Sequence, residues 1–361
     1  MQHIAFLLPA DASTPYGGYK VVFEYANRLT ADGHKVTIVY PASFWFWRKS
    51  IRKKYRSIRR YLTGLRRRDY TANWFRLAPG IEEKWVWSLN ECFVPKADIY
   101  VATACWTAGY LKRYRSVSPQ NKFYLIQGYE VWWPHTEKQV LQSYRFPMQK
   151  IVISEWLQQI VCEMEGGGGN CELIHNGFDF DYFSKLIEIE EKNKYCVCML
   201  YHTFEGKGCA DAFRALEIVK QRFPQLIVNI FGTAPRPETL PEWYRYWQRP
   251  DQQTHNRIYN EAAVFVGPSH SEGFCLTPPE AMMCGCAVAC TDIGGYTVCC
   301  KHDRTALVSP VRNPERLAEN IIRLIEDDDL RYRIAKAGHE NIRQFTWESA
   351  YDKLKKYLKL R

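Results

Sequence analysis

The chain has 361 residues, 46% of them hydrophobic, with 12 Trp, 23 Tyr and 18 Phe, so it can bury a large core, and its length favours two domains. No apolar run approaches the roughly 18 residues of a membrane-spanning helix, which argues against an integral helical membrane protein. The net charge of +10 comes from one segment, because residues 48–68 hold eleven Lys or Arg and no acid.

Short apolar runs alternate with helix-length segments along the chain, and they fall into two series. The first series comprises HIAFLLP (3–9), KVTIVY (35–40), DIYVATA (98–104), KFYLIQ (122–127), KIVIS (150–154) and CELIH (171–175). The second comprises YCVCMLY (195–201), LIVNIFG (226–232), AVFVGPS (263–269), AVACT (287–291) and ALVSP (306–310). Runs that are apolar on both faces, with helices between them, are typical of parallel sheets covered on both sides. We therefore predict two doubly wound, Rossmann-like α/β domains in tandem, with the opening residues forming a buried strand rather than a signal peptide.

The polar stretch SKLIEIEEKNK (184–194) separates the two series and is the best candidate for a linker. We predict an N-terminal domain over 1–178, a C-terminal domain over 190–344, and a last helix over 345–361 that packs back towards the N-terminal domain. Open parallel sheets bind ligands at the carboxyl ends of their strands. Two such domains facing across a cleft place the chemistry in the loops that follow the strands.

The first strand-to-helix junction carries a glycine pair, Gly17-Gly18, ahead of a helix with apolar residues at helical spacing. Glycines there let the backbone approach an anion, and the helix N-terminus offers unpaired N–H groups. A tight turn with positive φ explains the pair equally well. The pattern is not GxGxxG, so it gives no support to a dinucleotide site.

The junction that opens the second series contains Lys207-Gly208, with His202 five positions earlier. A lysine at a strand-to-helix turn suits a phosphate, because its charge adds to the N–H donors of the helix start. The alternative is a solvated loop lysine. A Walker A loop is excluded because GxxxxGK[ST] is absent.

Two carboxylates, Glu272 and Glu280, flank a third junction in the stretch SEGFCLTPPEAMMCG (271–285). The run Thr277-Pro-Pro-Glu280 predicts a capping box, with Thr277 as N-cap and Glu280 at the third helical position. The capping box leaves Glu272 unexplained. Glu272 follows a strand, and a carboxylate at the end of a strand suits a sugar hydroxyl ligand. Glu280, at the helix start, can both cap the helix and bind a hydroxyl.

Two further patterns raise the question of a metal ion. The thirteen cysteines, which include 284, 286, 290, 299 and 300, lack CxxC or HxxxH spacing, so we interpret them as small buried residues in a reducing cytosol. Asp179-Phe180-Asp181 has the form of a DxD motif but follows an Asn-Gly turn, and we interpret it as turn chemistry. No metal is expected.

The stretch SEGFCLTPPEAMMCGCAVACTDIGG resembles the E-x7-E region of retaining glycosyltransferases of the GT-B fold, family four. The resemblance extends to PYGGYKVVFEYANRLTADGHKVTIV near the start, KIVISEWLQQIV, IHNGFDFDYF, the Lys207-Gly208 turn and FTWESAYDKL near the end. These segments cover nearly the whole chain in the same order. The resemblance implies an enzyme, a hexosyl-type transferase whose second domain binds a nucleotide-sugar donor and whose first domain binds the acceptor.

The resemblance also implies roles for individual residues. Glu280 would hold the ribose hydroxyls, Glu272 would face the donor sugar, and Lys207 would pair with the diphosphate. The glycine pair would let the first-domain loop close over the donor. Backbone N–H groups at the helix start would meet sugar and phosphate, and these belong to Phe274, Cys275, Leu276 and Thr277. The family's retention of configuration is assigned to front-face substitution, which needs no enzyme nucleophile.

The sequence departs from the family pattern at three positions. His202 stands where the family usually carries Arg, and Gln127 stands where a first-domain His often contacts the donor sugar. Cys275 replaces a glycine. These differences predict an unusual donor pocket or slow turnover. The stretch YLIQGYE is similar to polysaccharide-building members, including rhamnosyltransferases.

The basic segment 44–68 combines FWFW with a cationic helix. Its apolar residues lie at helical spacing and form one stripe: Ile51, Tyr55, Ile58, Leu62 and Leu65. Such a helix suits an anionic membrane surface, where each basic residue is worth up to about 1 kcal/mol. Packing of the stripe on the domain and binding of nucleic acid are the alternatives. We favour the membrane, which predicts a cytoplasmic protein held peripherally at the inner face.

Three hypotheses about function remain beside a metal-independent transferase that acts on a glycan or lipid-linked acceptor. A glycosidase with Glu272 and Glu280 as its acid pair leaves the glycine and lysine turns without a purpose. A metal-dependent transferase would use the DxD motif. A non-catalytic or weakly active protein with a degenerate donor site, binding membrane or RNA, is motivated by His202 and Gln127.

Overall fold

The computed structural model describes residues 1–43, 51–131, 136–164, 171–274 and 276–360, and gives only the backbone at residues 51 and 53. The chain divides into two compact units. The first comprises Met1–Asn176 together with Trp347–Arg361, and the second comprises Gly177–Thr346. The chain therefore passes from one unit to the other at two points, after Asn176 and after Thr346.

The first unit is built on a parallel sheet. Its strands are β1 (His3–Leu7), β2 (Lys35–Pro41), β3 (Glu82–Val86), β4 (Ile99–Ala102), β5 (Lys122–Ile126), β6 (Gln149–Val152) and β7 (Cys171–Leu173). Within the described residues the strand order is β3-β2-β1-β4-β5-β6-β7. The order reverses between β1 and β4, so the loops after these two strands flank the switch point, where open α/β sheets bind ligands.

Helices connect the strands of the first unit. They are α1 (Gly17–Ala31), α2 (Ile51–Arg67), α3 (Cys105–Leu111), α4 (Glu137–Tyr144) and α5 (Glu155–Met164). Helix α1 buries the apolar residues that its helical spacing predicted, Val21, Val22, Tyr25, Ala26 and Leu29. Their burial against the sheet removes one face of α1 from water, which is the main source of stability for such a helix.

The second unit repeats the architecture with a different set of strands. They are β8 (Cys196–Tyr201), β9 (Ile227–Gly232), β10 (Tyr244–Gln248), β11 (Val264–Gly267), β12 (Ala287–Thr291) and β13 (Leu307–Ser309). In the described part of this unit they pair in parallel, in the order β10-β9-β8-β11-β12-β13. Here the order reverses between β8 and β11.

Three of the second unit's described helices begin at polar caps, and the unit's first helix begins at the tight turn of Gly208. They are α6 (Cys209–Arg222), α7 (Gln252–Glu261), α8 (Thr277–Met283), α9 (Pro314–Glu326) and α10 (Asp328–Ile342). The side chains of Asp251, Asn313 and Asp327 accept backbone N–H bonds at the starts of α7, α9 and α10. Across all the residues described, no helix has both the length and the apolar character needed to cross a membrane.

The last helix, α11 (Trp347–Tyr357), belongs to the first unit and packs on α1. The rings of Trp347 and Tyr25 meet edge to face at 5.6 Å. Asp32 follows α1 and accepts from the Tyr351 hydroxyl at 2.9 Å and from the Lys355 ammonium at 2.5 Å. Aromatic packing and these polar contacts fix the end of the chain to the unit that contains its start.

All eleven strands predicted from the sequence are present, and two further strands were missed. Both β3 (EEKWV) and β10 (YRYWQ) lie at the edge of their sheet, where one side faces solvent and polar residues are tolerated. The predicted linker 184–194 is wrong as a linker, because these residues belong to the second unit. Its Lys192 ammonium is buried and donates to the backbone carbonyls of Tyr259, Asn260 and Ala262.

The turn between β8 and α6 depends on Gly208. This residue has a φ of 63°, in the left-handed region. A Cβ at this position would lie 1.9 Å from the carbonyl oxygen of Pro268, which follows β11. Glycine therefore satisfies two requirements at once, the turn itself and the close approach of the loops that follow the two central strands.

We predict that Gly208→Ala destabilises the second unit by at least about 2 kcal/mol more than the cost of positive φ alone, because the added methyl meets rigid backbone. Urea unfolding of the variant measures this loss. Gly285→Ala is the matched control in the same unit, since its φ is 78° and its added methyl meets side chains of Ile189 and Lys185 at 3.1 Å or more. Equal losses of stability in the two variants would contradict the close-approach argument.

Candidate active site

The two sheets place the predicted site residues at the carboxyl ends of their strands. In the second unit, Lys207 lies in the loop after β8 and Glu272 lies in the loop after β11. These are the two strands between which the strand order reverses. Because both loops leave the same edge of the sheet, residues far apart in sequence come together at the switch point.

Lys207 and Glu272 form an ion pair there, with 2.5 Å between Nζ and Oε1. Their side chains are 26% and 13% exposed, so the pair is largely withdrawn from water. The Ser269 hydroxyl donates to the same carboxylate oxygen at 2.9 Å. The partly buried Lys207 ammonium can contact an incoming anion. If it does so, Glu272 keeps the Ser269 hydroxyl as a hydrogen-bond donor.

Contacts between the two loops fix the geometry of this pair. The His270 N–H donates to the carbonyl of Gly206 at 2.8 Å, and the His270 Nε2 atom lies 2.7 Å from the Asp211 carboxylate in the first turn of α6. On the other side, a Cβ at Gly295 would lie 2.5 Å from the carbonyl oxygen of Glu272. The backbone carrying Glu272 is thus enclosed by neighbouring loops on two sides.

His202 lies beside the pair and acts as a neutral group. Burial lowers the pKa of His202, and the charge of Lys207 lowers it further, against a smaller opposite effect of Glu272. Its Nδ1 atom accepts from the N–H of Phe204 at 2.9 Å. The proton of the neutral ring is therefore on Nε2. Where the resembled family carries a permanent cation, this chain presents a hydrogen-bond donor.

Glu280 lies in α8 and accepts from the hydroxyl of Tyr259 at 3.1 Å. Burial, reinforced by the charge of Glu280, raises the pKa of Tyr259, so the hydroxyl keeps its proton and donates. The predicted capping box is wrong. Leu276 occupies the N-cap position and makes no side-chain cap bond, and Thr277 is already helical. The two prolines that follow have no N–H to be capped, which lowers the need for a capping side chain.

The stretch between the two carboxylates forms the entry to α8. The ring of Phe274 stacks on that of Phe178, with centroids 5.7 Å apart and an interplanar angle of 19°. Leu276 is half-buried, and Thr277 begins the helix. Cys275 lies outside the described residues. Among the predicted donor-binding positions, the structure thus orients Phe274 by aromatic packing.

In the first unit, the structure brings Gln127 to the predicted glycine pair. Gln127 follows β5, and its side-chain N–H donates to the carbonyl of Gly18 at 3.1 Å. A Cβ on Gly18 would lie 3.3 Å from the Gln127 amide oxygen and 3.0 Å from the Tyr16 ring. Gly17 and Gly18 begin α1 without a side-chain cap. The glutamine thus fixes the start of α1.

The clustered cysteines and the DxD motif have structural roles. Cys284, Cys286, Cys290, Cys299 and Cys300 are buried free thiols, as predicted. The Asp179 carboxylate accepts from the N–H of Tyr182 at 2.9 Å, which is turn chemistry. In the described ranges, no group of three or more His, Cys, Asp or Glu side chains is arranged to hold a metal ion.

Helix α2 turns its apolar stripe towards solvent. Tyr55, Ile58, Leu62 and Leu65 are 68%, 43%, 59% and 51% exposed. The helix is attached to the unit by its opposite face, where the indole N–H of Trp85 donates to the carbonyl of Tyr61 at 3.0 Å. The alternative that the stripe packs on the domain is therefore wrong for these four residues. FWFW (44–47) and the side chain of Ile51 lie outside the described residues.

Three supporting groups were not found from the sequence. Ser269 and Tyr259 donate to the two predicted carboxylates, and the pair of Asp211 and His270 joins the two loops. Ser269 and His270 stand just before Glu272 at a strand end, which was a usable signal. Tyr259 and Asp211 are on separate helices and could be assigned only once the helices were placed.

Comparison with known proteins finds a family match within the second unit. Residues 183–341 match the family described as glycosyl transferases group 1. The matched segment contains Lys207, Glu272 and Glu280, so the ion pair at the switch point lies inside it.

Two relatives of known function are similar over part of their length. Phosphatidyl-myo-inositol mannosyltransferase from Mycobacterium tuberculosis is 26% identical over 199 residues, which cover 51% of this chain and 53% of that protein. D-inositol 3-phosphate glycosyltransferase from Corynebacterium efficiens is 27% identical over 164 residues, 41% of this chain and 38% of that protein. The chain spans about half the length, or less, of these curated relatives.

Solved structures match the fold over nearly the whole chain. Sucrose-phosphate synthase from Thermosynechococcus elongatus has a TM-score of 0.75 at 15% identity, covering 99% of this chain and 98% of its own. HepE from Anabaena, in complex with UDP-glucose, has a TM-score of 0.72 at 17% identity, with coverage of 99% and 100%. These likenesses confirm the predicted fold, two parallel-sheet α/β domains of the GT-B type.

Proposed function

We propose that the protein is a retaining, metal-independent glycosyltransferase that moves a sugar from a nucleoside-diphosphate donor to a glycan or lipid-linked acceptor. The observation that carries this proposal is the ion pair of Lys207 and Glu272 at the switch point of the second sheet, inside the segment that matches glycosyl transferases group 1. The complex of HepE with UDP-glucose is that of a protein with the same fold and supports a nucleotide-sugar donor. Synthesis of a cell-surface polysaccharide or glycoconjugate is the process that we propose.

The donor would occupy the carboxyl edge of the second sheet. Lys207 would leave Glu272 in part to contact the diphosphate, and the backbone N–H groups at the entry to α8, from Phe274 to Thr277, would add donors. Glu272, still bonded to Ser269, would face the sugar. Glu280, oriented by the Tyr259 hydroxyl, would hold the ribose. His202 would donate one hydrogen bond in place of a charge.

Transfer of the sugar requires stabilisation of the negative charge that develops on the leaving diphosphate. Breaking the bond between sugar and phosphate builds negative charge on phosphate oxygens, and a desolvated lysine with N–H donors already in place stabilises that charge. Lys207 supplies the positive charge that other transferases take from a metal ion. In a front-face substitution the leaving phosphate assists deprotonation of the acceptor, so no enzyme nucleophile is needed. The bond formed is then on the face from which the diphosphate leaves.

The first unit would bind the acceptor, with α2 at the membrane surface. The exposed stripe of α2 is flanked by basic residues without ion-pair partners in the described chain, such as Arg52, Arg66 and Arg67. Apolar residues that insert between lipids and cations that contact anionic headgroups are the two components of an interfacial helix. A lipid-linked acceptor would be presented at that surface, which favours a peripheral position at the inner face. Binding of nucleic acid would use the basic residues of α2 and would leave the exposed apolar stripe unexplained.

We predict that one of UDP, GDP or dTDP raises the melting temperature of the protein, and that Lys207→Ala weakens its binding about 10- to 100-fold. Glu280→Ala should weaken binding as well, because the ribose loses its acceptor. Isothermal titration calorimetry with the stabilising nucleotide measures both losses, and transfer by the Lys207→Ala variant should be nearly abolished.

Lys336→Ala is the matched control, since it removes a lysine that forms an exposed ion pair with Glu190 in the same unit. Its affinity for the nucleotide should equal that of the wild type. Binding and transfer should also persist in EDTA, whereas loss with chelator would refute the metal-independent mechanism. If no nucleotide stabilises the protein, the degenerate membrane- or RNA-binding alternative is the better account.

We predict that the protein floats with vesicles containing phosphatidylglycerol, and that changing Arg52, Arg66 and Arg67 to Glu lowers this partition about a hundredfold or more, since each basic residue contributes about 1 kcal/mol. Changing Leu62 and Leu65 to Ser should weaken binding through the loss of insertion. Flotation in a density gradient measures both effects.

The control reverses three exposed arginines of the second unit, Arg304, Arg316 and Arg343, and so makes the same change in net charge elsewhere. Its flotation should match the wild type. Vesicles of pure phosphatidylcholine should bind the wild type weakly. If the α2 variants float as well as the wild type, α2 is not the membrane-binding helix.

A further inference from the structure

A pocket lined by arginines lies in the first unit, between α2 and the loop after β1. It is a pocket of about 390 Å³, lined by Arg56, Arg59 and Arg60 of α2, by Asp11 and Ser13 of the loop, and by Trp85 of β3. Pockets of about 300 Å³ or more suit small-molecule ligands. The loop after β1 flanks the switch point of this sheet, so the pocket is at the ligand-binding edge.

One of the three arginines is already occupied. Arg60 forms an ion pair with Asp11, and its guanidinium lies over the Trp85 ring at 5.6 Å from the centroid. Burial by itself raises the pKa of Asp11, but the Ser13 hydroxyl and the Arg60 charge outweigh it and hold that pKa below its usual value. Trp85 in turn stacks on Tyr70 at 5.1 Å. Arg60 and Asp11 therefore neutralise each other's charge beside the stacked rings of Trp85 and Tyr70.

The remaining two arginines have no such partner. Arg56 and Arg59 are exposed and form no ion pair with any residue that the structure describes. The second acid of the lining, Asp69, is exposed as well and makes no ion pair within the described chain. Three arginines and two aspartates line the pocket, so its formal net charge is +1. The two unpaired guanidinium groups are three positions apart and lie on the same face of the helix.

We propose that this pocket binds the phosphate or diphosphate group of the acceptor, with Arg56 and Arg59 as its ligands. Guanidinium groups match phosphate oxygens in two-point contacts, and two of them suit a group of more than one negative charge. Asp11, fixed by Arg60 and Ser13, borders the same pocket and can accept from a hydroxyl of the sugar next to that phosphate. This inference rests on the proposed function, because it names the chemistry of the acceptor.

The position of the pocket on α2 distinguishes it from the membrane face. Tyr55, Ile58 and Leu62 of the stripe are exposed and do not line the pocket, whereas Arg56, Arg59 and Arg60 do. One face of the helix can thus contact lipid while the adjacent face receives a phosphate group. If the acceptor's phosphate lies at the lipid surface, the arginines can bind it while the apolar stripe contacts the lipid.

Arginine-specific labelling tests the proposal without any transfer assay. Phenylglyoxal modifies accessible guanidinium groups, and mass spectrometry of the peptides gives a rate for each arginine. With inorganic pyrophosphate at ten times its dissociation constant, modification of Arg56 and Arg59 should slow about tenfold. Arg66 and Arg67, exposed on the same helix outside the pocket, should keep their rates. Equal slowing of all four, or of none, overturns the proposal.

A second arm separates the acceptor's phosphate from the headgroups of a bilayer. Vesicles containing phosphatidylglycerol replace pyrophosphate as the probe in the same labelling reaction. Protection of Arg56 and Arg59 by the soluble pyrophosphate supports a discrete phosphate site. Protection by vesicles alone would make these arginines part of the membrane surface and would overturn the proposal.

A third arm separates this pocket from the donor site. In the Lys207→Ala variant, protection of Arg56 and Arg59 by pyrophosphate should persist, whether or not the donor proposal holds. Adding Arg56→Gln and Arg59→Gln to that variant should weaken pyrophosphate binding about tenfold or more in calorimetry, since two charged contacts are lost. Arg66→Gln with Arg67→Gln is the matched control and should bind as before. Undiminished binding to the Arg56 and Arg59 variant refutes the pocket.

Discussion

The ion pair of Lys207 and Glu272 depends on how closely two loops of the second sheet approach each other. Parallel strands β8 and β11 deliver both loops to one edge, and Gly208 allows the loops to touch because its missing Cβ leaves room for the Pro268 carbonyl. Withdrawn from water, the pair costs desolvation and is sustained by good geometry and by the Ser269 hydroxyl. The Lys207 side chain is 26% exposed, so in the proposed site an anion that replaces part of the contact would meet a cation that has already lost much of its water.

The first unit is also built on a parallel sheet whose strand order reverses in the described residues. Its switch point lies beside Gly18 and Gln127, which contact each other, and the loop after β1 continues to the arginine-lined pocket. Helix α2 then combines three surfaces in one element: an aromatic face that attaches it to the unit, an exposed apolar stripe, and a row of guanidinium groups. We propose that the stripe contacts the membrane and that the guanidinium groups bind the acceptor's phosphate, which would connect substrate recognition to the membrane.

The fold could be read from the sequence to the extent that apolar runs reveal buried strands. Strands β3 and β10 escaped because edge strands tolerate residues such as Glu82 and Arg245, so the apolar run that marks a central strand is absent. The segment around Lys192 was taken for a linker because it is polar. The Lys192 ammonium is nonetheless buried, because it donates hydrogen bonds to three backbone carbonyls instead of to water. No pattern of residue types in the sequence reveals these hydrogen bonds.

The sequence predicted several individual residues of the candidate site but not which side chains contact one another. Strand ends and helix starts pointed to Lys207 and Glu272, and the family resemblance pointed to Gln127. Which residues contact one another could be known only from the fold. The capping box failed because the helix begins one residue earlier than the Thr-Pro-Pro-Glu pattern requires, which makes Thr277 helical. The apolar stripe of α2 was correctly recognised as a pattern, while the structure was needed to decide that it faces solvent.

Hydrogen–deuterium exchange, with and without whichever of UDP, GDP or dTDP raises the melting temperature, tests the proposed donor site most directly. If the donor lies at the switch point of the second sheet, slowed exchange concentrates in residues 202–208 and 268–277, which include Lys207 and Glu272. Protection confined to different parts of the chain, with these two loops unchanged, would contradict the assignment of the donor site.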